Sequence, residues 1–194
     1  RQVRVDSRIV RLTMLITCTL VMGLLGCAES MIHVLIGEQW LPSVPYLRLL
    51  GLSGLFLPLI LASVNVFNAN GKSDKTLLLE IIKTALAVIP VTLGIVCNIK
   101  FLLWGMVGIS LLSYLIHAAF VAKEINYTVW QQVKDILPFF IISSVMSILV
   151  HFIGELEIKA LYLLVLQIAV GFAITLAAYE IFYKSEEYAD IKSE

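Results

Sequence analysis

Charge is what this chain has least of. Lysine, arginine, aspartate and glutamate make up 14% of its 194 residues, and the two signs cancel to a formal net charge of zero. Soluble domains carry about 25% charged residues. Without a net field, or a basic face outside the loops, nothing attracts nucleic acid. Cysteine is scarcer still. Cys18, Cys27 and Cys97 are odd in number, sit in apolar stretches and have neither disulfide nor metal spacing, so they read as small packed hydrophobes. No Ser/His/Asp set, phosphate loop or pair of catalytic carboxylates stands out. His33, His117 and His151 occupy three separate apolar stretches at different depths, which keeps them from converging on one metal. The sequence argues against an enzyme and asks for no metal or cofactor.

What the chain has in abundance is apolar length. Hydrophobic residues make up 60% of it, and the mean hydropathy is +0.95. Six nearly uncharged runs each match a helix crossing roughly 30 Å of hydrocarbon at about 1.5 Å per residue. The expected fold is all-α: one membrane domain over residues 1–194, a polytopic bundle of six spans at about 12–36, 45–68, 76–97, 101–122, 136–154 and 160–183. The connections are short, as between antiparallel neighbours. Pro45 suits a first helical turn. In Asn70-Gly71-Lys72-Ser73-Asp74 the glycine can end one helix, and Ser73 or Asp74 can cap the next. The last residues, from Lys184 to Glu194, read as a short solvated extension.

The basic residues fix an expected orientation. Arg1, Arg4, Arg8, Arg11, Lys72, Lys75, Lys123, Lys134, Lys184 and Lys192 fall on one side, against Lys100 and Lys159 in loops on the other. Such a bias places both chain ends in the cytoplasm. Trp40, Tyr46, Trp104, Tyr127 and Trp130 lie near span ends, where amphipathic rings favour the headgroup region. Four arginines within the first eleven residues suggest a loop cut mid-sequence, hence a piece of a longer polytopic protein. Leu24-Leu25-Gly26-Cys27 imitates an acylated-cysteine signal, but five more membrane-length segments follow it rather than a soluble domain.

Ionisable groups within spans usually face a cavity or another helix. Glu29 and His33 share a face of the first span, and Arg48 opens the second at similar depth. Glu29 and Arg48 could meet as an interfacial salt bridge or line an outward-facing cavity. Asn65 and Asn68 near the end of the second span, with Glu80 and Lys83 early in the third, could present four polar side chains together. Equally, the asparagines could join helices and Lys83 could snorkel to the headgroups. Pro58 and Pro90 lie near the midplane of consecutive spans and should bend them. Ala169, Ala173 and Ala177 form a small-residue stripe on the sixth span, read as a packing face that Gln167 joins by an interhelical hydrogen bond.

The stretch Ile36-Gly37-Glu38-Gln39-Trp40-Leu41-Pro42-Ser43-Val44-Pro45-Tyr46-Leu47-Arg48-Leu49-Leu50 resembles the loop and helix start of bacterial lipopolysaccharide or polysaccharide biosynthesis exporters. These are the oligosaccharide flippases (Wzx-like) of the MATE-related superfamily. Asn68-Ala69-Asn70-Gly71-Lys72-Ser73-Asp74, followed by Leu79-Glu80-Ile81-Ile82-Lys83, is similar to the hairpin of that family. Lys72 stands where the family commonly has arginine, which keeps the charge without bidentate geometry. The likeness is strongest from about Ala28 to Lys83. It implies the last six spans of a longer flippase in a bacterial inner membrane. The implied partners are a lipid-linked oligosaccharide of the undecaprenyl-pyrophosphate type, membrane lipids and a polysaccharide polymerase. In that setting Arg48 and Lys83 are candidate cations for the head group, Asn65 and Asn68 candidate sugar ligands, Glu29 and Glu80 further pathway candidates, and Pro58 and Pro90 candidate hinges. Two alternatives stay open: a drug/cation exporter of the same superfamily, and a non-transporting scaffold for glycan assembly.

Overall fold

The chain is described from a computed structural model. Its backbone is described for residues 2–125, 128–156 and 158–191, and its side chains for 13–123, 128–156 and 158–180. Tyr127, the four N-terminal arginines, Lys184 and Lys192 lie outside the described side chains.

Seven α-helices and one 3-10 segment make up the described secondary structure. They are α1 (Gln2–Leu35), a 3-10 turn (Glu38–Ser43), α2 (Val44–Gly54), α3 (Leu57–Ala69), α4 (Ser73–Val96), α5 (Ile99–Ile125), α6 (Val129–Ile153) and α7 (Ala160–Ile191). By length and apolarity they supply six candidate membrane spans: Thr13–Leu35, Glu38–Ala69, Ser73–Val96, Ile99–Lys123, Val129–Ile153 and Ala160–Glu180. The protein is an all-α, six-span membrane bundle. Apolar side chains such as Leu20, Ile95, Val96 and Phe172 point outward, as lipid-facing residues must where the surrounding solvent is hydrocarbon.

Several helix ends form where the residues dictate. Pro45 sits in the first turn of α2, where its missing N–H has no partner to lose. Gly71, at φ +67°, closes α3. The Lys72 amide donates to Phe67 O at 2.9 Å and the Gly71 amide to Asn68 O at 3.1 Å, the paired bonds of a Schellman end. The next helix departs from expectation: Lys72 is the N-cap of α4, and no side chain caps it. On α6 the helix begins at Val129, earlier than the apolar run, because Thr128 and Gln131 form a capping box that satisfies two orphan donors reciprocally. Lys134 and Asp135 therefore lie inside α6. At the other end of the chain, α7 continues to Ile191.

The core lies between α1 and α6. Gln132, Ile136, Phe139, Ser143, Met146 and Val150 are buried along α6 at alternating spacings of four and three. That is the seam expected of helices packed at a shallow angle. Of these, Ile136, Phe139, Met146 and Val150 share one core with Met14, Cys18 and Met22 of α1 and with Leu55, Leu59, Ile60, Tyr114 and Ala118. A Cβ on Gly26 would come within 2.8 Å of Ser147 O, so glycine sets how near α1 and α6 approach. α7 packs outside α1 and α6, and α4 outside α5 and α3. This order explains why 39% of the first span is buried but only 11% of the α4 span. Ala169, Ala173 and Ala177 are all exposed; α7 turns Leu163, Leu164, Gln167 and Ala178 inward instead. Gln167 does bridge helices, its Nε2 donating to Val150 O at 2.8 Å.

Candidate functional site

The second span is broken, and the break organises its surroundings. Leu55 and Phe56 form a turn between α2 and α3, and Pro58 lies in the first turn of α3. Proline cannot donate to the carbonyl four residues back, and its ring crowds that turn. The released backbone needs partners inside the bundle. Ser110 of α5 provides one, its Oγ donating to Ser53 O at 2.5 Å. Phe56 stacks on Tyr114 of α5 with ring centroids 5.6 Å apart. Pro90 behaves differently. The α4 helix runs through it without interruption, and Pro90 is buried against Gly105 of α5.

Arg48 stands on α2, ahead of the break and against α1. Its Nε donates to Leu25 O at 3.2 Å, while Nη2 is buried with no hydrogen-bond partner among the described residues. Glu29 follows Leu25 by one turn and is exposed, and no ion pair joins it to Arg48. The guanidinium is drawn to a backbone carbonyl in the α1–α2 contact, while the carboxylate remains at the surface. His33 bonds forward rather than toward Glu29: its ring Nε2 lies 3.0 Å from Glu38 Oε1, tying the end of α1 to the 3-10 turn.

The hairpin polar groups divide into two pairs. Thr76 Oγ1 donates to Asn68 Oδ1 at 3.3 Å across the turn. Lys83 Nζ bonds Glu80 Oε1 at 2.8 Å and lies 2.7 Å from its Oε2. Because α4 begins at Ser73, Lys83 lies roughly 15 Å along it. There the half-buried lysine is paired with Glu80. Asn65 is exposed and joins neither pair. Nor are Arg48 and Lys83 brought together: they stand on α2 and α4, and α5 packs against both.

One cluster went unremarked in the sequence. Ser110, Ser113, Tyr114 and His117 recur at intervals of three, one and three along α5. That periodicity puts them on one face of a helix, and it is legible without coordinates. The face is buried. Gln132 of α6 extends it, donating from Nε2 to Ala118 O at 3.2 Å. No group of three His, Cys, Asp or Glu suited to a metal occurs among the described residues.

No family model, curated protein or solved structure matches the chain.

Proposed function

We propose that the intact protein moves a lipid-linked oligosaccharide, of the undecaprenyl-pyrophosphate type, from the inner to the outer leaflet of a bacterial inner membrane by alternating access. This chain supplies six of its spans, with both chain ends cytoplasmic. The reading rests on the resemblance of the Ile36–Leu50 and Asn68–Lys83 stretches. The observation that carries it is Arg48: a guanidinium held in the α1–α2 contact with a buried, unpartnered Nη2. An arginine in a membrane domain is costly unless an acceptor satisfies it, and phosphate oxygens match its planar donors. The break before Pro58 supports the same reading, since discontinuous helices recur in transporters that rock one bundle against another.

The cation-exporter alternative has less to work with. Glu29 and Glu180 are exposed and Glu80 is taken by Lys83; Asp135, inside α6, is engaged as well. For the scaffold alternative, the deciding result is full-length protein that co-purifies with the polymerase yet never translocates labelled lipid-linked sugar.

The test replaces Arg48 in the full-length protein and follows surface polysaccharide, with membrane levels measured in parallel. Arg48→Ala should lower export at least about tenfold, as expected for a lost charged hydrogen bond. Arg48→Lys should restore only part of it, because an ammonium lacks the bidentate fork. Unchanged export at normal protein level would remove Arg48 from the pathway.

A further inference from the structure

The inward face of α5 carries more polar atoms than its protein partners satisfy. Ser113, Tyr114 and His117 are 2%, 5% and 1% exposed. Nδ1 of His117 lies 2.8 Å from Ser113 O. A carbonyl oxygen can only accept, so Nδ1 carries the proton. With Nδ1 donating, Nε2 is buried in the bundle, where no described residue partners it. Ser113 Oγ and Tyr114 OH are buried without partners as well. Three orphaned polar atoms within little more than one helical turn are costly in a dry interior. A buried water commonly bridges about three such atoms.

We propose that this stretch of α5 is a hydrated proton-binding site, with water bridging the hydroxyls to His117 and the imidazole taking up and releasing one proton. The incoming proton, delivered by water, adds to the Nε2 lone pair. The Nδ1 bond to Ser113 O is kept in both forms, and no other bond breaks. A metal ion fits less well, since no second or third ligand of suitable type accompanies His117.

Among the described residues, no charged group on the helices packed against α5 bonds His117. α3 has no titratable residue. On α2, Arg48 is engaged with Leu25 O, and Tyr46 lies beyond it. On α4, Glu80 and Lys83 satisfy each other, and Asp74 and Lys75 stand in its first turn. On α6, Lys134 and His151 are exposed, and Asp135 lies one turn from Gln132 with an interaction of its own. Lys100 and Lys123 mark the ends of α5. No carboxylate is bonded to His117, so hydroxyl and water dipoles alone would stabilise the imidazolium. The site stands independently of the transport reading.

The test uses the whole chain in lipid bilayers, with His33→Gln and His151→Gln leaving His117 as the sole imidazole. Both replaced residues are more exposed than His117. Nitrogen NMR of the ring would be recorded from about pH 5 to about pH 8, the range in which imidazoles commonly change charge. The expected record has a neutral form with the proton on Nδ1, an Nε2 in contact with water, and a doubly protonated form as pH falls. A ring that keeps one form throughout, a neutral form protonated on Nε2, or an Nε2 out of contact with water would each overturn the proposal. Should the double variant fail to fold, subtracting the His117→Gln spectrum from that of the unsubstituted chain yields the same reading.

Discussion

At Gly105 a missing side chain is what allows two helices to touch. A Cβ there would overlap the ring of Pro90 on α4, whereas one on Gly108 would meet nothing within 4 Å. Three residues apart on one helix, the two glycines should respond oppositely to alanine. Gly105→Ala should destabilise by about 1–3 kcal/mol, the usual cost of overpacking. Gly108→Ala should be neutral or stabilising by up to about 1 kcal/mol, from helix propensity. Reversible unfolding in mixed micelles would measure both, and equal losses would refute the close approach of α4 and α5. Nothing in the sequence separated these two glycines, because the difference lies on the neighbouring helix. Gln167 was legible, since a lone amide in an apolar span needs a partner. The alanine stripe beside it misled: small residues permit close approach without requiring it.

Among elements, the second span and α6 show how far local chemistry reaches. Pro58 announced a disturbance, and the helix is broken just before it. Pro90 announced the same and produced no break in α4. What distinguishes them is the setting: Ser110 satisfies a carbonyl at the first break, while Pro90 is packed against Gly105. Apolar residues alone place the start of α6 too late, because the capping box at Thr128 lies in polar sequence. Thr128→Ala should cost about 1 kcal/mol, in the usual range for a lost N-cap, and Thr128→Ser should keep most of it. Faster hydrogen exchange confined to the first turn of α6 would be the local signature. Unchanged exchange in the alanine variant would show that the cap contributes nothing. Gly71 is the corresponding C-terminal device. Gly71→Ala should cost roughly 1–2 kcal/mol, because φ +67° crowds a Cβ, as read from the same unfolding measurement.

For the whole molecule, the order of helices decides which side chains meet lipid. Of the three thiols, Cys18 is buried, Cys27 is half-buried and Cys97, at the end of α4, is exposed. In the proposed orientation Cys97 lies at the outer surface. A membrane-impermeant maleimide should therefore label Cys97 in right-side-out vesicles and spare Cys18 in either vesicle orientation. Labelling of Cys97 from inverted vesicles alone would reverse the topology. Removing detergent should aggregate the protein, since most of the exposed residues among those described are aliphatic or aromatic and a bilayer supplies their solvent.

By itself, the sequence determined that the chain is helical, that it crosses a membrane six times and where most crossings begin and end. Those properties follow from apolar length, proline, glycine and the cost of bare backbone in hydrocarbon, all local in the chain. Tertiary structure decided that Arg48 bonds Leu25 O rather than Glu29, that Lys83 is held by Glu80, and that the α5 face holding His117 is buried. Such outcomes depend on which helix stands beside which. In lipid the choice of neighbours is made by close packing and polar partners rather than by hydrophobicity, so apolar patterning along the chain carries little record of it.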